Sequence, residues 1–128
     1  MLTGRQVCEY TNASSTQLVS SNTRNWDREL IEQLGYPQTM FKEIIEPGTI
    51  IGNLTDIVQE SVGFDTKVIA TASHDTASAV VSVPALREDF IYISSGTWSL
   101  MGMERNIADC SLESMQANFT NEGGYNHR

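Results

Sequence analysis

Apolar residues recur along this chain in short, broken patterns. Trp26, Leu30, Ile31 and Leu34 share one helix face and predict a helix over residues 26–34. Asn25 stands at the cap position, Asp27 and Glu29 occupy the first turn, and Gly35 ends the stripe with Pro37 beyond it. A short helical turn is expected over residues 39–44. Glu46-Pro47-Gly48-Thr49 reads as a tight turn into a strand at 49–51. A second helix is expected over 56–62, capped by Thr55 and closed by Gly63. Residues 11–23 (TNASSTQLVSSNT) are dense in Ser, Thr and Asn, and predict strand, turn and loop rather than helix.

The run TKVIATA at 66–72 is β-rich with apolar residues on both faces, the pattern of a buried strand in a parallel sheet. Ser73-His74-Asp75-Thr76 follows, then the small apolar run from Ala77, which predicts a helix ended by Pro84. This strand, polar loop and helix form an α/β signature, and residues 73–76 fall at the carboxyl end of the strand, where open α/β sheets place their sites. Residues 89–94 and 97–103 then predict a hairpin around Ser95-Gly96. The change of architecture at residues 84–88 marks a boundary between two lobes. Beyond residue 104 the pattern fades, and Asn121-Glu122-Gly123-Gly124 reads as an irregular loop.

Sixteen acidic residues against eight basic ones give a net charge of −8 over 128 residues. That balance disfavours nucleic acid and anionic membrane as partners, since both need clustered Lys and Arg. Mean hydropathy of −0.24 with 40% hydrophobic residues is globular. No apolar run approaches the ~20 residues of a membrane span. The N-terminus lacks the basic head and apolar core of a signal peptide. Cys8 and Cys110 are far apart and suit a reducing cytoplasm.

Several chemistries compete at residues 73–76. A Ser-His-Asp triad fails, because three consecutive side chains fan apart. A metal site on His74 and Asp75 lacks further ligands at suitable spacing, and His127 is near the chain end. Two readings stay open. Ser73 or Asp75 caps the helix, or Asp75 is a carboxylate general base whose ionised form is favoured at a helix N-terminus. In the second reading His74 and Thr76 offer hydrogen bonds to a polyol. Ser94-Ser95-Gly96-Thr97 likewise reads as an ordinary turn, or as a loop offering backbone N–H groups and a hydroxyl to a phosphate.

The string IATASHDTASAVVSV followed by YISSGTWSLMG resembles the rhamnulokinases, sugar kinases of the FGGY group in the actin-like, ribonuclease H-like ATPase superfamily. LTGRQVCEYTNASSTQLV, EPGTIIGNL and NFTNEGG look like the same family, in the same order. The resemblance implies an α/β, ribonuclease H-like fold, here the end of a first lobe (residues 1–85) and the beginning of a second (86–128). It implies ATP-dependent phosphorylation of L-rhamnulose to L-rhamnulose 1-phosphate, with Mg²⁺ accompanying the nucleotide. Asp75 would be the catalytic base. His74, Asp75 and Thr76 would contact the ketose, and Thr97 with Gly96 would contact ATP. Fuculokinases and other FGGY ketose kinases are the nearest alternative, a non-catalytic interaction piece the next. The family's N-terminal Gly-rich hairpin has no counterpart here, so these residues alone are expected to be inactive and to associate through open strand edges.

Overall fold

The computed structural model describes residues 1–87 and 89–127. Its densest packing surrounds α2 (Arg28–Gln33). Ile31 of that helix is fully buried and packs with Ala13 and Trp26, flanked by Cys8, Leu18, Val19, Phe41 and Ile44. The Trp26 and Phe41 rings meet edge-on with centroids 5.0 Å apart, and the indole N–H donates to the Lys42 carbonyl at 2.6 Å. Burying both the ring and its one polar atom in this way leaves no orphan donor.

The helix is shorter than the predicted 26–34. Asp27, not Asn25, is its cap: the Asp27 carboxylate accepts from the Leu30 N–H at 3.0 Å. Asn25 accepts from the Trp26 N–H instead. The turn expected at 39–44 is a single 3₁₀ turn, Gln38–Met40.

β1 (Cys8–Glu9) pairs in parallel with β2 (Ile44–Ile45). Directly after β1 the chain enters α1 (Tyr10–Ser14), a helix where loop and strand were expected. The expectation failed because composition reports local preference, and this helix is held by a tertiary network. The Glu9 carboxylate accepts from the Thr11 and Asn12 N–H groups, and the helix buries Tyr10, Thr11, Ala13 and Ser14.

β3 (Ile50–Asn53) pairs antiparallel with β4 (Lys67–Ile69), with an irregularity at Ile50/Gly52. α3 (Asp56–Val62) connects them; it ends at Gly63, whose φ of +82° is left-handed and open to glycine at no steric cost. The parallel, buried strand expected at 66–72 is therefore corrected. β4 is three residues long, antiparallel, and exposed at Lys67 and Ile69. An apolar pattern on both faces demands cover on both faces, and this chain supplies little.

α4 (Asp75–Val81) begins two residues earlier than the apolar run suggested. The segment from Pro84 to Arg87 is neither helix nor strand, and Glu88, the last residue of the expected boundary, lies outside the described residues. β5 (Ile91–Ser95) and β6 (Ser99–Met103) form the expected hairpin. Ile91 pairs with Met103 and Ile93 with Met101, so these four exposed side chains make one apolar face. Tyr92 lies across Gly102, its cross-strand partner, where a Cβ would meet the phenol. α5 (Leu112–Gln116), capped by the Ser111 hydroxyl, lies in the region where the sequence pattern had faded.

Candidate functional site

Residues 70–74 join β4 to α4, and Asp75 and Thr76 open the helix. His74 occupies the N-cap position with extended backbone, but its side chain caps nothing. Asp75 is the first helical residue, and among the described residues its Oδ1 accepts only from the adjacent Thr76 N–H, at 2.8 Å. The Ser73 hydroxyl points elsewhere, to Glu9. Neither residue therefore makes a cap bond into the body of the helix.

The Asp75 side chain is 99% exposed. Beside it, the His74 ring is largely buried at 20%. Its Nε2 lies 3.8 Å from Asp75 Oδ1, and its Nδ1 lies 3.3 Å from Glu122 Oε2. Thr76 is half-buried and lines an open groove of about 1150 Å³ together with Tyr10, Tyr92, Ser99 and Glu122. Asp75 and Thr97 do not line that groove. Ser78 of α4 donates its hydroxyl back to the Ala72 carbonyl, tying the small first turns of the helix to the chain that enters it.

What fixes this corner is a buried carboxylate the sequence reading passed over. Glu9 is 7% exposed. Its Oε2 accepts from the Ser73 N–H at 2.9 Å and from the Ser73 hydroxyl at 2.7 Å. It also accepts from the Thr11 hydroxyl at 2.6 Å, and Oε1 takes the Thr11 N–H at 2.8 Å. The Thr11 oxygen in turn accepts from the His74 N–H at 3.2 Å. Burial pushes the Glu9 carboxyl upward, but the hydrogen bonds from Thr11 and Ser73 outweigh it and hold the group below its ordinary value of 4.5. The group therefore stays ionised though buried, as a charge with several donors can. Glu122 was missed as well: the sequence showed only a loop there. A lone Glu before a Ser/Thr run, or before two glycines, gives no local sign of a distant partner.

Gly96 and Thr97 sit at the tip of the β5–β6 hairpin. The Gly96 N–H donates to the Trp98 carbonyl at 2.8 Å, so this amide closes the turn and is not offered outward. Thr97 is exposed, and a Cβ placed on Gly96 would meet nothing within 4 Å. The tip is thus uncovered, with Thr97 and Trp98 both exposed on it. Among the described residues no three His, Cys, Asp or Glu side chains gather as a metal site.

Residues 1–82 match the family described as the FGGY family of carbohydrate kinases, N-terminal domain. This chain belongs to that family. Among its FGGY relatives, the rhamnulokinase of Oceanobacillus iheyensis is 53% identical over 128 residues, all of this chain and 27% of the relative. That of Bacteroides thetaiotaomicron is 49% identical over 125 residues, 97% of this chain and 26% of the relative. The crystal structure of ligand-bound xylulose kinase from Lactobacillus acidophilus superposes with a TM-score of 0.75 at 25% identity, over 88% of this chain and 23% of that one. The chain thus spans about a quarter of the length of the FGGY kinases it matches. The α/β, ribonuclease H-like class expected from the sequence is the one this FGGY segment adopts.

Proposed function

We propose that these residues are a quarter of an ATP-dependent sugar kinase that converts L-rhamnulose to L-rhamnulose 1-phosphate, with Asp75 as its general base. The observation that carries this reading is the Asp75 carboxylate itself. It is fully presented to solvent on a backbone segment clamped from below by Glu9 and Thr11, in a chain whose whole length is matched by rhamnulokinases.

In this reading the carboxylate takes the proton of the C1 hydroxyl. The alkoxide attacks the γ-phosphorus, the bond from that phosphorus to the ADP oxygen breaks, and the proton stays on Asp75 until solvent removes it. His74, held by Glu122, and the half-buried Thr76 would hydrogen-bond the ketose. The Thr97 hydroxyl would contact the nucleotide. Mg²⁺, when bound with the nucleotide, neutralises phosphate charge. The segments 1–85 and 86–128 would belong to the two lobes between which such kinases hold their substrates, in the cytoplasm.

The test is Asp75→Asn in the complete kinase chain containing these residues, followed by ADP release with L-rhamnulose. A fall in kcat of about 10³-fold or more with unchanged folding is expected. Wild-type turnover in that variant would sink the assignment. L-Fuculose run in parallel decides the sugar. The 128 residues alone should show no turnover above blank, because phosphoryl transfer needs many groups placed at once.

A further inference from the structure

We propose that Glu9 is a positioning residue for the Asp75 base, setting the place at which α4 begins by holding Ser73 through both its backbone N–H and its hydroxyl. The inference rests on the reading of Asp75 given above.

A local role for Glu9 is easily accounted for. As the residue before α1 it caps that helix through the Thr11 and Asn12 N–H groups. Capping of this kind is usually done at the surface by short side chains, and it does not require burial. The Glu9 carboxylate is buried, and beyond the local Thr11 hydroxyl the remaining bonds it accepts are not local. Two come from Ser73, 64 residues away, and a relay through the Thr11 hydroxyl reaches the His74 N–H. Consecutive residues immediately before Asp75 thus have their backbone N–H groups satisfied by one carboxylate and its attendant hydroxyl. Among the described residues the Asp75 carboxylate makes no long-range bond: it accepts from the adjacent Thr76 N–H and lies near the His74 ring beside it. An exposed carboxylate with no anchor of its own takes its position from the backbone that carries it. That backbone is held on one side by Glu9 and on the other by the Ser78 hydroxyl.

The variant Glu9→Gln keeps the size of the side chain but replaces one acceptor oxygen by an NH₂ group. In one orientation of the amide that group cannot accept from the Ser73 N–H, and in the other it cannot accept from the Thr11 N–H. In the complete kinase chain containing these residues, E9Q is compared with wild type and D75N by ADP release, varying sugar and ATP separately. The expected result for E9Q is a loss in kcat of about 10²-fold, the scale of an ångström-sized misplacement of a reacting group. The KM for ATP stays unchanged, and Glu9→Asp, which keeps the charge, regains part of the loss. A folded E9Q with kcat within twofold of wild type, or one that raises KM alone, overturns the proposal. D75N at wild-type turnover overturns the base reading itself; an inactive D75N beside a fully active E9Q overturns only the role of Glu9. Should E9Q fail to fold, Ser73→Ala and Thr11→Val each remove one part of the clamp. Each should lower kcat several-fold with the ATP KM unchanged, and wild-type kcat in both overturns the proposal.

Discussion

Oε2 of Glu122 lies 3.3 Å from Nδ1 of His74, so the loop that ends in Gly123-Gly124 touches the residue beside Asp75. The contact fixes the ring in one orientation: a carboxylate on Nδ1 leaves Nε2 facing the Asp75 side. In the complete kinase chain containing these residues, Glu122→Gln should raise the KM for the sugar roughly 2- to 5-fold, the worth of a partly exposed carboxylate–imidazole contact. Steady-state kinetics with varied sugar measures it, and an unchanged KM would show that the ring holds its place without Glu122.

The same loop is pinned one residue further on. A Cβ on Gly123 would run into the Tyr10 ring, and the Gly123 N–H donates to the Ser14 hydroxyl at 2.7 Å. Tyr10 is buried and has little room to retreat. Gly123→Ala should therefore destabilise the chain by about 1–3 kcal/mol, the range for overpacking. Denaturant unfolding of wild type and variant decides it; equal midpoints would contradict the packing described here.

Glu9 also makes a statement about acid. Its carboxyl is held below the ordinary value of 4.5 in the folded state. A depressed folded value means stability that is fully present above the unfolded value and lost as pH falls through the folded one. The wild-type chain should thus lose stability as pH drops below about 4.5, and E9Q should lose less over that window while being less stable at pH 7. Parallel slopes for the two proteins would remove Glu9 as the titrating group.

The accessible surface of the chain is 9511 Å², whereas a compact monomer of this mass would expose about 6800 Å². The excess lies partly on the apolar hairpin face of Ile91, Ile93, Met101 and Met103. Each of the three sheets has only two strands, so edges are open throughout the described residues. The isolated 128 residues should associate into dimers or larger species, with Ile93→Lys shifting them toward monomer. Light scattering reads this, and a monodisperse monomer at wild-type sequence would refute it.

Local pattern was legible wherever a single element carries its own signal. The stripe of Trp26 and Ile31 marked the main packed cluster. Gly63 marked the end of α3, and two strand-like runs around Ser95-Gly96 marked the hairpin. The strand-to-helix step placed Asp75 at the head of a helix. Each of these depends on residues within one or two turns of each other, and periodicity reports such neighbourhoods directly.

Outside the hairpin, direction and partnership of strands were not legible. The apolar run at 66–72 reads the same whether its neighbour is parallel or antiparallel, and whether cover comes from this chain or another. The helix at 10–14 was hidden for a related reason: Ser, Thr and Asn there favour turns until a buried carboxylate takes up their N–H groups.

By itself, then, the order of residues determined where apolar faces and turns fall, and which acid stands at the head of α4. Only the folding of distant segments onto one another brought Glu9 to Ser73 and Glu122 to His74. Hydrogen bonds between residues so far apart in the chain leave no periodic trace in it, because they are chosen by geometry in space and not by spacing along the backbone.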